Sequence, residues 1–255
     1  MLELDLNVDM GEGFGRWSLG DDAAVMPHVS SASIACGYHA GDPSTMRRTV
    51  AQAVRHGLQI GAHVALPDLL GFGRRRMAVS PEEVRDYCTY QIGALAAFVQ
   101  AEGGRLGHVK PHGALYVMCS DSPELAGAVA AAIAGIDPGL TLLLLTREQE
   151  DAVAAHGVRL VEEAFVDLEY DASGHLVLER TKRAWDPDRV AERALRLVQE
   201  GRIETVGGVD LEVRAPTVCL HGDAPNAVEV ARRVRESLEA AGVAVRPLNQ
   251  ILASR

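Results

Sequence analysis

Aromatic side chains are scarce in this chain, only 4% of 255 residues, so Leu, Val, Ala and Ile must fill whatever core it forms. Cysteine is scarce too, and Cys36, Cys88, Cys119 and Cys219 include no C-x-x-C pair. A chain of this length buries a core without disulfide staples, so the thiols are expected to be reduced, in the core or in site walls. No apolar run is long enough to span a bilayer, and Met1-Leu2-Glu3-Leu4-Asp5 lacks a basic segment followed by an apolar one. The expectation is a cytoplasmic protein with no membrane contact. Positive charge is in deficit, with 25 Lys and Arg against 35 Asp and Glu and a net charge of −10. The densest basic run is Arg74-Arg75-Arg76, too short for an electrostatic footprint, which argues against nucleic acid as a partner. Three local signatures are missing as well. No G-x-G-x-x-G follows the first strand, and neither G-x-x-x-x-G-K-[ST] nor H-E-x-x-H occurs. The missing P-loop argues against ATP binding of the ordinary kind by this chain, and leaves contact with ATP at an interface between subunits open.

What is present is an alternation of short β-branched runs with longer helical ones. Strands are expected at 2–8, 33–36, 59–63, 107–110, 140–145, 160–166 and 217–220. Helix starts are signalled by Asp42-Pro43, Ser122-Pro123, Asp186-Pro187 and Asp223-Ala224-Pro225. Ser80 with Glu83, and Thr146 with Gln149, read as capping boxes. Helix ends are marked by Gly57, Gly103 and Gly157. Seven strands alternating with helices imply parallel pairing through right-handed crossovers, and a closed barrel is favoured over an open doubly wound sheet. One α/β barrel domain over 1–255 accommodates the whole length. Residues 167–186 read as a hairpin excursion turning at Asp171-Ala172-Ser173-Gly174.

Polar residues collect just after the strands. Asn7, Asp9 and Glu12 follow the first, His39 and Asp42 the second. His63 ends the third, with Asp68, Arg74 and Arg75 beyond it. Lys110 and His112 end the fourth, and His221 and Asp223 follow the last. In parallel α/β folds the C-terminal rim is where loops converge on a ligand. A single His at a strand end is ordinarily a structural residue; four of the nine histidines there, with five charged neighbours, point to a site. His56 and His156, just before helix-ending glycines, suit a helix C-terminus instead. Gly37, Gly41, Gly61, Gly113 and Gly222 let backbone turn or approach a ligand closely. Two chemistries fit this group. His, Asp and Glu can hold a divalent ion, with Asp9, His39 and His63 as candidate ligands. Alternatively a carboxylate and a His exchange protons while Lys110 stabilises an oxyanion or phosphate.

The blocks Leu6-Asn7-Val8-Asp9-Met10-Gly11-Glu12, Ile34-Ala35-Cys36-Gly37-Tyr38-His39-Ala40-Gly41-Asp42-Pro43 and Gly61-Ala62-His63 resemble the LamB/YcsF family. So do Pro67-Asp68-Leu69-Leu70-Gly71-Phe72-Gly73-Arg74-Arg75, Tyr90-Gln91-Ile92-Gly93-Ala94-Leu95, Val109-Lys110-Pro111-His112-Gly113-Ala114-Leu115-Tyr116 and Cys219-Leu220-His221-Gly222-Asp223. The resemblance implies a seven-stranded parallel β/α barrel of the glycoside hydrolase/deacetylase type. It implies the A subunit of a prokaryotic 5-oxoprolinase, which cleaves 5-oxo-L-proline to L-glutamate coupled to hydrolysis of ATP. ATP with Mg²⁺ then serves the complex, and subunits B and C are the expected partners; a homo-oligomer through the helical faces is compatible with that. On this reading the base lies among Asp9, Glu12, His39 and His63, with His112 as proton donor. Lys110 and Arg74 or Arg75 neutralise a carboxylate or phosphate, and Asn7, Asp42, His221 and Asp223 contact substrate. Two other readings stand beside it: a metal-dependent deacetylase or amidohydrolase of the same barrel group, and a non-catalytic subunit that binds substrate and hands it on. Four positions depart from the family pattern. Ser33 replaces Asn, Val64 replaces Pro, Val117 replaces Asn, and Leu168 stands where Arg is expected. These raise the question of which lactam is bound.

Overall fold

The structure, a computed structural model, describes residues 2–177 and 183–254. Among them are the strands β1 (Glu3–Met10), β2 (Ser31–Ala35), β3 (Gln59–Val64), β4 (Leu106–Pro111), β5 (Thr141–Leu144) and β6 (Arg159–Phe165). β7 (Glu169–Tyr170), β8 (Leu176–Val177), β9 (Arg202–Glu204), β10 (Asp210–Glu212), β11 (Thr217–His221) and β12 (Ala244–Val245) follow. The strand order is β11-β6-β5-β4-β3-β2-β1-β12, and β1 also pairs in parallel with β11. Seven parallel strands thus close on themselves, as expected from the alternation of strands and helices. β7 with β8 and β9 with β10 form separate antiparallel pairs. The first is the start of the hairpin expected over 167–186, of which 178–182 lie outside the described residues.

The helices are α1 (Asp22–Val25), α2 (Pro43–Arg55), α3 (Pro81–Ala101), α4 (Gly113–Asp121), α5 (Pro123–Ile136), α6 (Glu150–Ala154), α7 (Pro187–Glu200), α8 (Ala227–Ala240) and α9 (Leu248–Ala253). Ser80 and Glu83 form the expected reciprocal capping box of α3, and Asp42, Ser122 and Asp186 cap α2, α5 and α7. Two expected starts differ. α6 begins at Glu150 because the Gln149 amide is spent on a bond to the Ser120 carbonyl (2.9 Å), so it cannot close a box with Thr146. α8 begins at Ala227 because Asn226, ahead of it, uses its amide to bond the Trp185 backbone in both directions.

The chain clusters into two compact units, one of residues 1–9, 20–31 and 163–255, the other of 10–19 and 32–162. In the second unit α3 packs against α5 and β3 through Val84, Cys88, Ile92 and Leu95, all inaccessible to solvent. In the first, α7 packs against α8. β1 alternates Leu4, Leu6, Val8 and Met10 with Asp5, Asn7 and Asp9, and all seven are buried. A strand covered on both faces normally reads as continuous apolar sequence, so its polar face needs internal partners.

Those partners are hydroxyl and carboxylate groups of the same unit. Asp5 accepts from the hydroxyls of Ser30 (2.7 Å), Ser31 (2.6 Å) and Thr217 (2.6 Å). Asn7 donates one amide hydrogen to Thr217 Oγ1 and the other to Glu163 Oε1, both at 2.8 Å. In the other unit Gln59 donates to His108 Nδ1 (3.0 Å), so the opposite ring nitrogen carries the proton and donates to Ser33 Oγ (3.1 Å). That imidazole lies directly over Gly61, where a Cβ would fall 2.0 Å from His108 Nε2. Gly61 is required by this close approach and not by a turn.

Candidate functional site

His63 is carried near the end of β3, opposite Lys110 of β4 in the ladder. Its Nδ1 lies 3.1 Å from the Lys110 carbonyl oxygen, an acceptor only, so Nδ1 carries the ring proton. His112 follows β4 and occupies the N-cap position of α4. Its Nε2 lies 2.8 Å from the Phe72 carbonyl oxygen and by the same argument is protonated. The two remaining nitrogens, His63 Nε2 and His112 Nδ1, face each other at 2.9 Å. His39, from the loop between β2 and α2, stacks on His112 with ring centroids 3.8 Å apart and planes 8° from parallel. Its Nε2 is 3.1 Å from Glu12 Oε1, and the same oxygen is 3.8 Å from His112 Nδ1. One ligand atom from each of Glu12, His39, His63 and His112 lies within 4.8 Å of the others. All four residues are at most 7% exposed, so their mutual interactions are weakly screened by water.

A second cluster belongs to the other unit. Asp9, Cys219 and His221 bring ligand atoms within 4.8 Å of one another, with Asn7 pairing Cys219 and Asp9 pairing His221 in the β1–β11 ladder. Asp167 grips His221 twice, accepting from its backbone N–H (2.7 Å) and lying 3.0 Å from Nδ1. The carboxylate holds the ring proton on Nδ1 and leaves Nε2 as the basic nitrogen. Phe165 stacks on the same ring at 5.7 Å. Of the candidate metal ligands Asp9, His39 and His63, the two histidines lie in the group with Glu12 and His112, and Asp9 lies in the group with Cys219 and His221.

The other expected site residues fall into two sets. Lys110 is only 2% exposed, and Asp223 is half-buried just beyond β11. Asn7, expected to contact substrate, spends both amide hydrogens on the Glu163–Thr217 network. Asp42, also expected there, is occupied as a cap, accepting from Ser44, Thr45 and Gly15. The Thr45 hydroxyl, ahead of the backbone donors, holds its carboxyl down at about 2. Arg75 is forked onto Asp68, whose carboxyl it holds below the usual range, while Arg74 lies 5.0 Å over the Phe72 ring. All four cysteines are free and buried, and burial pushes the Cys36, Cys88 and Cys119 thiols well up, which disfavours them as nucleophiles.

Two residues were missed in sequence. Phe72 supplies the carbonyl that orients His112, packs edge-on against His39 and His112, and adopts φ +53°, a left-handed backbone that a bulky aromatic rarely takes. Its place between Gly71 and Gly73 was the available signal. Asp167 stands at the start of what reads as a hairpin, and nothing local marks it as the orienter of a histidine 54 positions later.

These blocks stand in a sequence with many relatives. The LamB/YcsF family profile matches residues 4–253. The chain belongs to the LamB/YcsF family. The A subunit of a 5-oxoprolinase from Thermus thermophilus is 51% identical over 249 residues, covering 96% of this chain and 99% of the relative. Its counterpart from Nocardia farcinica is 51% identical over 246 residues, covering 96% and 98%. The crystal structure of a lactam utilization protein from Thermus thermophilus superimposes with a TM-score of 0.90 at 48% identity, covering 97% of this chain and all of that one.

Within the LamB/YcsF frame, the four departures have definite surroundings. Ser33 bonds His108, and Val64 is fully buried with its carbonyl accepting from the His112 N–H (2.7 Å). Val117 is half-buried on α4. Leu168 is buried, and its carbonyl accepts from Arg193 (2.7 Å), so a guanidinium reaches this loop from α7. No helix among the described residues is long and apolar enough to cross a membrane.

Proposed function

We propose that this chain is the A-type subunit of an ATP-coupled 5-oxoprolinase. It acts with B- and C-type partner subunits to open 5-oxo-L-proline to L-glutamate. The observation that carries this reading is the buried convergence of Glu12, His39, His63 and His112 in a chain 51% identical to relatives of that name. A five-membered lactam is a resonance-stabilised amide, and water attacks it poorly. Transfer of the γ-phosphoryl group of ATP to the amide oxygen makes the ring carbon electrophilic and releases ADP. Water then adds to that carbon, the C–N bond breaks with the nitrogen taking up a proton, and the phosphoryl group leaves as phosphate by hydrolysis.

The chain's own groups suit the proton steps. Glu12 and His39, 3.1 Å apart, form a carboxylate–imidazole pair able to take a proton from water. His63 and His112, in contact at 2.9 Å, offer a path to the departing nitrogen. Lys110, buried on β4, suits a substrate carboxylate or transferred phosphate. The missing P-loop favours an ATP site shared with a partner over one built by this chain alone.

The test is glutamate release from 5-oxoproline by the purified chain, with and without ATP, Mg²⁺ and the two partner subunits. Glutamate appearing only when ATP and both partners are present supports the assignment. No glutamate from folded protein with competent partners overturns it, and a screen of other lactams and amides then follows.

A further inference from the structure

His221 has no part in the proton steps assigned so far, yet it is held as an acid–base group is held. It ends β11, and its ladder partner on β1 is Asp9. The backbone beyond it is closely confined, since a Cβ on Gly222 would lie 2.7 Å from the Asp9 carbonyl oxygen. Phe165 stacks on the ring with planes 25° apart. Asp167 accepts from the His221 backbone N–H with one carboxylate oxygen (2.7 Å) and from Nδ1 with the other (3.0 Å). The first bond alone would serve to fix a strand end. The second sets the ring's tautomer and direction, and so presents the Nε2 lone pair. The ring's hydrogen bonds to described residues all engage Nδ1, and the side chain keeps 13% exposure, which leaves Nε2 for a ligand.

An imidazole oriented in this way takes a proton from a ligand at Nε2, while the carboxylate behind it faces the charge that results on the ring. The lactam reaction contains a proton that needs such an acceptor. The amide nitrogen of 5-oxo-L-proline carries one hydrogen, and phosphorylation of the amide oxygen makes that hydrogen acidic. We propose that His221, positioned by Asp167, takes the lactam N–H proton as the amide oxygen is phosphorylated; this rests on the 5-oxoprolinase reading. As the O–P bond forms and the bond to ADP breaks, the nitrogen lone pair enters a C=N bond. Nε2 then takes the proton, and the electrons of the N–H bond remain on nitrogen, giving a cyclic imidoyl phosphate. The proton returns to nitrogen when water adds to the ring carbon, before the C–N bond breaks. His221 therefore ends the cycle with Nε2 unprotonated, as it began. Asp167 does not touch the substrate; it acts through the ring that it orients.

The test measures ADP and glutamate separately, in the system assembled with both partner subunits, ATP, Mg²⁺ and 5-oxoproline. His221→Ala should lower 5-oxoproline-dependent ADP formation by about 10²-fold or more, with glutamate falling in step. Added imidazole should restore part of both, which it would not do for a purely structural residue. Asp167→Asn should lower kcat by a similar factor with KM little changed, and Asp167→Glu, which keeps a carboxylate, should recover part of the loss. Nitrogen NMR of the full chain in mildly alkaline buffer should show the His221 proton on Nδ1, and on Nε2 in Asp167→Asn. A His221 proton on Nε2 in the unaltered chain overturns the proposal. So does ADP formation that persists in folded His221→Ala, and so does loss of glutamate with ADP formation intact, which moves the residue to a later step. If His221→Ala does not fold, Asp167→Asn decides, because it preserves size and an acceptor for the backbone N–H: an unaltered rate overturns the proposal. Turnover by both the unaltered chain and His221→Ala sinks this proposal alone. No turnover by the unaltered chain with competent partners sinks the 5-oxoprolinase reading, and this proposal with it.

Discussion

Two buried polar clusters in this molecule differ in the chemistry of their members. Around Asp5, every donor has its acceptor. Ser30 takes the Leu6 N–H and gives its hydroxyl hydrogen to Asp5, and Thr217 takes from Asn7 and gives to Asp5. Around His63, titratable groups converge: the rings of His63 and His112 meet at 2.9 Å, and the Glu12 carboxylate lies 3.1 Å from His39 and 3.8 Å from His112. A balanced network stabilises strands in register. A cluster of imidazoles and a carboxylate is suited instead to holding or moving a proton.

The largest effect that would break the comparison is on turnover. His63→Ala should lower kcat by about 10³-fold or more in the assembled system while the thermal transition moves little, as for loss of an acid–base group and not of a core residue. Equal losses of activity and fold would make the two clusters the same kind of object. Lys110→Ala is expected to behave as His63→Ala does.

The next effect concerns pH and stability, and belongs to the balanced network. Burial, opposed by the Ser31, Thr217 and Ser30 hydroxyls and aided by the Glu163 charge, pushes the Asp5 carboxyl up to about 6 from its ordinary value of 3.8. The folded chain then holds this proton more tightly than the unfolded chain, so unfolding releases it. Stability from this group is greatest below about pH 4, falls as pH rises towards about 6, and stays reduced above, a change on the order of 3 kcal/mol. Denaturant melts across about pH 4–7 should show this slope in the wild type, and Asp5→Asn should flatten it. An unchanged slope in Asp5→Asn would locate the titration elsewhere.

Gly73 sharpens the comparison from the other side. Its φ is +63°, and an added Cβ would lie 2.8 Å from His39 Cβ and 2.9 Å from His112 Cδ2. Gly73→Ala should destabilise by about 1–3 kcal/mol through strain and should also lower kcat about tenfold by displacing both rings. A stability loss with no kinetic change would mean that ring placement is not critical. The smallest effect is expected at Asp42: Asp42→Ala should cost about 1 kcal/mol of stability through loss of the α2 cap, with kcat nearly unchanged. A large kcat loss would restore Asp42 to the substrate contacts expected from sequence.

Much of the fold was legible because its signals are local. Period-two patterning and capping residues depend on neighbours a few positions away, and all seven strands lie within a few residues of their expected places. The expected start at Thr146–Gln149 failed because Gln149 found a partner 29 positions away, and Asn226, ahead of α8, pairs with Trp185 in the same long-range manner. The rim histidines were visible as a set because parallel topology puts strand ends on one side. Their division into two groups was not visible, since Asp9 and Glu12 lie only three residues apart yet fall in different groups.

Sequence alone determined the strand count, the family, and which side chains end each strand, because periodicity, turn chemistry and long exact motifs are properties of contiguous residues. Only the tertiary structure decided which of those side chains meet, which are spent on capping or cross-strand bonds, and which tautomer each imidazole adopts. Those outcomes depend on atoms brought together from distant parts of the chain, where a shift of an ångström turns a donor into a neighbour or leaves it without one.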